Sequence, residues 1–243
     1  MRTRVLIYSP SSNFIAIRSN LWNSVNRLIM DLLTNLPGLL GILFKNPVIF
    51  ILVFPILIFS LVIHEVAHGW VAYLMGDLTA KWLGRLTLNP FRHLDPIGTI
   101  ALLIFGFGWA RPVPVNYLNF RHLRKGIFFV SIAGVGANFV FAFLALLVSR
   151  LTISYDAELL HQALGIVAYI NILLAAFNII PIPPLDGSKV LMSFLPNELR
   201  YSMERIEPYG MFIIIGLLYI GLLNPVIRFF QSVILSLIRI FLP

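Results

Sequence analysis

The segment His64-Glu65-Val66-Ala67-His68 sets two imidazoles four residues apart, with a carboxylate beside the first. On an α-helix, residues i and i+4 share a face, about 40° apart around the axis and one turn along it. Both rings then reach one tetrahedral metal ion, and Glu65 reaches a water at that ion. The chemistry that this H-E-x-x-H spacing supports is metal-assisted hydrolysis, with zinc as the ion and the glutamate as general base. The surroundings are apolar on both sides. Two histidines and a glutamate inside such a segment are costly unless they face a bundle interior and find partners there. A polar network between helices, without metal, is the bland alternative.

A catalytic zinc takes three protein ligands and leaves a fourth position open. The chain has no cysteine, so the third ligand must be His, Asp or Glu. His93, His122 and His161 each lie in or beside a polar link. Asp186 is better placed, in Asn178-Ile179-Ile180-Pro181-Ile182-Pro183-Pro184-Leu185-Asp186-Gly187. Three prolines end the preceding apolar run, and non-helical backbone at membrane depth is tolerated where it is buried or lines a cavity. Two readings of Asp186 stand at this point. It is a metal ligand, or it N-caps a short helix over SKVLMSFL.

The elements that must carry these residues follow from composition. The chain has 243 residues, of which 59% are hydrophobic and 12% charged. Soluble domains run at about 45–50% apolar and about 25% charged. That excludes a water-soluble monomer, and the apolar excess excludes disorder. An all-α polytopic membrane protein remains. Residues 47–75 form the first strong span, 126–149 and 159–180 two more, and 209–223 and 225–242 two marginal ones. Residues 28–44 contain Asp31 and Pro37 and read as a short first span or an interfacial helix. Residues 97–109 are too short for an ordinary span and read as re-entrant. The expectation is about six transmembrane or membrane-embedded helices. A short strand or re-entrant region lies between the first strong span and the next, built from strand-like stretches at 84–90 and 112–120. The chain divides into an N-terminal segment 1–46, a core 47–195 holding both motifs, and C-terminal helices 196–243.

The net charge of +8 comes from 18 basic and 10 acidic residues. Lysines and arginines concentrate in the links 77–96, 110–125 and 181–208, which the positive-inside rule puts on the cytosolic face. That bias accounts for the charge without nucleic-acid binding. The H-E-x-x-H segment occupies the second half of its span, towards the 77–96 link. The site is therefore expected within the bilayer, nearer the cytosolic face.

Further motifs occur in order: Gly84-Arg85-Leu86-Thr87-Leu88-Asn89-Pro90, then His93-Leu94-Asp95-Pro96-Ile97-Gly98-Thr99, then Gly106-Phe107-Gly108-Trp109-Ala110-Arg111-Pro112-Val113-Pro114-Val115-Asn116. With the two metal motifs, they resemble the site-2 protease family of intramembrane zinc metalloproteases, in its compact prokaryotic-type branch without a PDZ domain. The resemblance covers roughly residues 45–195. One departure is that Ala133-Gly134-Val135-Gly136-Ala137-Asn138 lacks the family's usual proline after the first glycine.

The resemblance implies one Zn2+ per chain, bound by His64, His68 and Asp186, with Glu65 as general base and acid. It leaves Asn138 and Asn178 as candidate substrate or oxyanion donors, or as hydrogen bonders between helices. His93 either orients a ligand or shapes the turn before Pro96. The implied activity is hydrolysis of peptide bonds in or near transmembrane segments of membrane-anchored proteins, for regulated proteolysis or clearance of signal-peptide remnants. The implied location is multi-pass in a prokaryotic cell membrane, or a chloroplast membrane in a plant. The lipid bilayer is a partner and nucleic acid is not. The non-enzymatic alternative is a membrane scaffold or transporter with a vestigial metal site.

Overall fold

A computed structural model describes residues 38–152 and 157–242. Among them are nine α-helices. They are α1 (Gly38–Lys45), α2 (Pro47–Met75), α3 (Thr79–Trp82), α4 (Pro96–Phe105), α5 (Leu123–Leu151), α6 (Glu158–Asn178), α7 (Asp186–Phe194), α8 (Asn197–Tyr219) and α9 (Leu223–Phe241). Among the described residues, α2, α5, α6 and α9 are the helices long and apolar enough to cross a membrane. The expectation of about six was larger for three reasons. Helix α4 is a ten-residue apolar helix. Helix α8 starts at Asn197, upstream of the expected 209, and runs through Pro208. Its first half therefore carries Arg200, Glu204, Arg205 and Glu207. Most of the expected first segment (28–37) lies outside the described residues.

Helix α2 begins where the Asn46 side chain accepts a hydrogen bond from the Ile49 N–H (3.2 Å), with Pro47 at the first helical position. Both are standard start signals. At about 1.5 Å per residue its 29 residues exceed the roughly 30 Å hydrocarbon core. Helices α5 and α6 share a cluster that includes the small buried residues Ala142, Ala175 and Ala176. Such residues let backbones approach where no hydrophobic drive separates helix from lipid. Val135, Ala142, Ile172, Ile234 and Ile238 form a core shared by α5, α6 and α9. Leu39, Ile42, Val53, Ile166 and Ile170 join α1, α2 and α6. Helix α2 therefore lies against α5 and α6, with its motif turned inward.

The strands expected at 84–90 and 112–120 do not form among the described residues. A lone antiparallel bridge joins Leu94 to Ala110, and the Arg111 N–H donates to the His93 carbonyl (2.7 Å). The reason lies in the donors. Pro112 and Pro114 have no N–H to give. The Val113 N–H goes to Glu65 Oε2 (2.8 Å) and the Asn116 N–H to Asp77 Oδ2 (2.8 Å). Side-chain carboxylates occupy the positions a neighbouring strand would need.

Asp77 anchors this region. Helix α2 ends at Gly76, whose φ of 111° is left-handed and favours glycine. Behind it, the fully buried Asp77 accepts from the Thr79 N–H and hydroxyl, from Asn119 Nδ2 and from the Asn116 N–H. Burial pushes its carboxyl up, but the bonds from Thr79, Asn119 and Asn116 outweigh that and hold it below the usual carboxylate range. A depressed carboxylate contributes stability above its ordinary pKa, and that share is lost as pH falls through the lower, folded value. Asp77→Ala leaves four donors without their acceptor. It should cost about 1–3 kcal/mol, read as a lower melting temperature in detergent at neutral pH. The gap between wild type and variant should close on acidification.

Candidate metal centre

The two histidines of α2 meet Asp186 at the start of α7. His64 Nε2 and His68 Nε2 lie 3.0 Å apart, and Asp186 Oδ2 lies 3.1 Å from each. All three side chains are largely buried. Asp186 is the first helical residue of α7, and Leu185 is the N-cap, with no side-chain cap bond. The capping alternative is therefore not the one the fold adopts. Asp186 instead points at both imidazoles.

The other ring nitrogens are committed elsewhere. His68 Nδ1 lies 2.7 Å from the Val130 carbonyl, and His64 Nδ1 lies 2.6 Å from Asn138 Oδ1. A carbonyl oxygen only accepts, so His68 Nδ1 carries a proton, and in the neutral ring Nε2 is then bare. The same tautomer of His64 presents a second lone pair, and the carboxylate a third. Three such atoms at 3.0–3.1 Å are placed to share one cation. A proton serves one pair at a time. A tetrahedral zinc with bonds of about 2.0–2.1 Å needs ligand atoms roughly 3.3 Å apart, and so accommodates all three. The residues fit a zinc ion, and among the described residues they form a single such cluster of His, Asp or Glu.

Helix α5 makes room for it. An added Cβ on Gly134 would lie 2.5 Å from His64 Cε1 and from His68 Nε2. No other residue type lets the helix backbone lie this close to both rings.

Glu65 lies beside the histidines on the wall of a cavity of about 400 Å3. Its Oε2 takes the Val113 N–H, which leaves Oε1 without a hydrogen-bond partner among the described residues. Arg85 holds that stretch from behind, its Nη2 donating to the Arg111 (2.8 Å) and Pro112 (3.2 Å) carbonyls. The cavity is also lined by Asn178, Tyr117, Lys189 and Glu207. Lys189 Nζ sits 3.4 Å from Glu207 Oε1 and ties α7 to α8 at the cavity wall. Burial would push the Lys189 ammonium down, but Tyr117, Glu207 and Asp186 hold it above its ordinary range.

The remaining candidates separate. Asn178 is at the cavity, with Nδ2 donating to the Leu174 carbonyl (3.0 Å). Asn138 is fully buried and turned towards His64, away from the cavity lining. His93 is also buried and off the cavity, with Nε2 2.8 Å from the Thr87 carbonyl. Sequence reading passed over Asn171, which pairs with Asn138. Its signal was available, since an asparagine inside an apolar span marks an inter-helix contact.

Comparison with known proteins points the same way. Residues 152–221 match the model of peptidase family M50. The candidate zinc metalloprotease YwhC of Bacillus subtilis is 44% identical over 171 residues, covering 68% of this chain and 78% of that protein. The candidate zinc metalloprotease Rip2 of Mycolicibacterium smegmatis is 30% identical over 182 residues, covering 72% of this chain and 70% of the relative. Zinc metalloprotease MJ0392 of Methanocaldococcus jannaschii is 27% identical, over 81% of this chain and 49% of its own length. No solved structure matches. With the relatives' coverage and the buried His, His and Asp cluster behind an H-E-x-x-H helix, the chain belongs to peptidase family M50, the site-2 protease family of zinc metalloproteases.

Proposed function

We propose that this protein hydrolyses peptide bonds in or near transmembrane segments of membrane-anchored proteins, using one zinc per chain. His64, His68 and Asp186 hold the ion. The observation that carries this reading is the triangle of lone-pair atoms at 3.0–3.1 Å beside the free oxygen of Glu65. Lewis acidity towards water and towards a carbonyl oxygen is what zinc would supply there.

The chain's own residues do the rest. Glu65 Oε1 takes a proton from the attacking water and returns it to the leaving amine. The Val113 N–H fixes the other carboxylate oxygen. Asn178, on the cavity wall, has a second amide hydrogen to offer a developing oxyanion. Asn138 serves His64 instead.

A substrate helix shields its amides in its own hydrogen bonds, so helices with Gly, Pro or Asn near the cut are favoured. The protease core spans 47–195, with 1–46 ahead of it and 196–243 as C-terminal helices. Helix α4 and the first segment bring the membrane-embedded elements to about six. The protein is multi-pass in the cell membrane, with the site nearer the cytosolic face because the motif occupies the later part of α2. Its tasks are regulated proteolysis or clearance of signal-peptide remnants.

The test is zinc analysis of the purified protein together with cleavage of a single-span reporter in proteoliposomes. Wild type should carry about one zinc per chain and cut the reporter. Asp186→Asn removes a ligand, and should weaken zinc by more than the about 10–100-fold typical of losing an outer-shell partner. A wild type without zinc, or Asp186→Asn with unchanged affinity, overturns the reading. A zinc-loaded wild type that cuts no membrane reporter supports a scaffold instead.

A further inference from the structure

We propose that Asn171 is a positioning residue of the metal site, which acts through Asn138 to hold the His64 proton on Nδ1 and keep Nε2 bare. The inference rests on the zinc reading above and deepens it.

His68 needs no such help, because a backbone carbonyl fixes its tautomer directly. His64 faces Asn138, and a side-chain amide is ambiguous. Turned one way it offers an oxygen to Nδ1, and turned the other way a nitrogen, which would favour the tautomer with its proton on Nε2. That tautomer puts a proton where the metal lone pair must be.

What breaks the ambiguity lies one helix further on. Asn138 Nδ2 donates to Asn171 Oδ1 (2.8 Å). Asn171 Nδ2 in turn meets the Val167 carbonyl (2.9 Å) and Ser60 Oγ (2.9 Å). The Val167 carbonyl can only accept. Ser60 has given its hydroxyl proton to the Ile56 carbonyl (2.8 Å), so it too accepts. Both neighbours therefore demand the NH2 of Asn171. That turns its oxygen to Asn138, which turns the Asn138 oxygen to His64. The chain has one polarity from end to end.

It is also sealed. Asn138, Asn171 and Ser60 are 0%, 1% and 4% exposed. No bulk water reaches the chain to satisfy a flipped amide, so a reversal strands buried donors against donors. Three helices (α2, α5 and α6) meet in this one network. Partners of metal-bound histidines are known to tune affinity by about 10–100-fold.

The test is zinc affinity of the detergent-solubilised full chain by chelator competition, with melting temperature as the folding control. Asn171→Leu removes the acceptor for Asn138, and should weaken zinc by about 10-fold or more. Asn138→Leu should weaken it at least as much. The double variant should be no weaker than Asn138→Leu alone, because Asn171 acts only through Asn138. Asn171→Asp, buried as the neutral acid, keeps an oxygen for Asn138 and an O–H for Val167. It should stay within about three-fold of wild type, as should Ser60→Ala, which leaves the Val167 carbonyl in charge.

A packing role predicts instead that Asn171→Leu weakens zinc equally with and without Asn138, and that result overturns the proposal. So does an Asn171→Leu protein with unchanged affinity. Should Asn171→Leu fail to fold, 15N-histidine NMR of zinc-free Asp186→Ala, which removes the carboxylate that would draw a proton to Nε2, decides the matter. An Nδ1–H signal from His64 supports the chain, and an Nε2–H signal overturns it. A wild type that binds no zinc sinks the metal reading itself, whereas a zinc-binding wild type matched by Asn171→Leu sinks this inference alone.

Discussion

Glu65→Gln should remove peptide-bond hydrolysis and leave zinc in place. The two effects separate because Glu65 supplies none of the three atoms that converge on the proposed metal position. Those are His64 Nε2, His68 Nε2 and Asp186 Oδ2. Glutamine keeps the length of the side chain, and its amide oxygen can still accept the Val113 N–H that now goes to Glu65 Oε2. The Arg85 grip on the Arg111 and Pro112 carbonyls does not involve Glu65, so the cavity wall stays where it is. What glutamine lacks is a basic oxygen. Loss of a positioned general base costs about 10^2–10^4-fold in rate. The proton it would have carried must also reach the leaving amine, so the loss should fall at the upper end. The measurement is initial rate on a membrane-anchored reporter at saturating zinc, with metal content by elemental analysis of the same sample. A variant within ten-fold of wild type would show that another group takes the proton. A variant that has lost its zinc would show that Glu65 supports the metal.

The parts of this site that could be read from the chain are those set by local spacing. His64 and His68 share a face because four residues make about one helical turn, and no tertiary information is needed to see it. The residues around Asp186 alone leave it between ligand and cap, because a carboxylate ahead of a helix serves both uses, and it was the family resemblance that implied a ligand. What the local sequence lacks is the approach of α2, which brings two imidazoles to 3.1 Å from its carboxylate. Asn138 was named without its direction, since its partner His64 is 74 residues away. The strand expectation failed for a related reason. Alternating residues at 112–120 look extended, but the pattern does not show that Glu65 and Asp77 take the N–H groups a second strand would use. The start of α8 was misplaced because Pro208 reads as a boundary. A proline inside a helix removes one hydrogen bond and often only bends it, and here the helix continues through it.

Gly134→Ala is expected to strike the candidate metal centre directly with a single methyl group. On an ordinary exposed helix it would be mildly favourable, since alanine is the better helix former by about 1 kcal/mol. Here the methyl would sit 2.5 Å from His64 Cε1 and from His68 Nε2, well inside van der Waals contact. Relief requires either ring or helix to move. The rings are held, because His64 bonds Asn138 and His68 bonds Val130. These two anchors stand four residues to either side of Gly134, so all three share one face of α5. Pushing α5 away would break both hydrogen bonds together, and turning the rings would take Nε2 off the metal position. Interiors this tightly packed do not absorb a methyl by small shifts. Zinc affinity should therefore fall by at least about 100-fold, the upper end of losing outer-shell support, and hydrolysis should fall with it. Gly136→Ala is the control, because a Cβ there meets nothing within 4 Å, and it should leave zinc binding and cleavage unchanged. Chelator competition on both variants decides the matter. Equal zinc affinity in Gly134→Ala and Gly136→Ala would mean that α5 does not press on the histidines, and that the glycine serves helix packing alone.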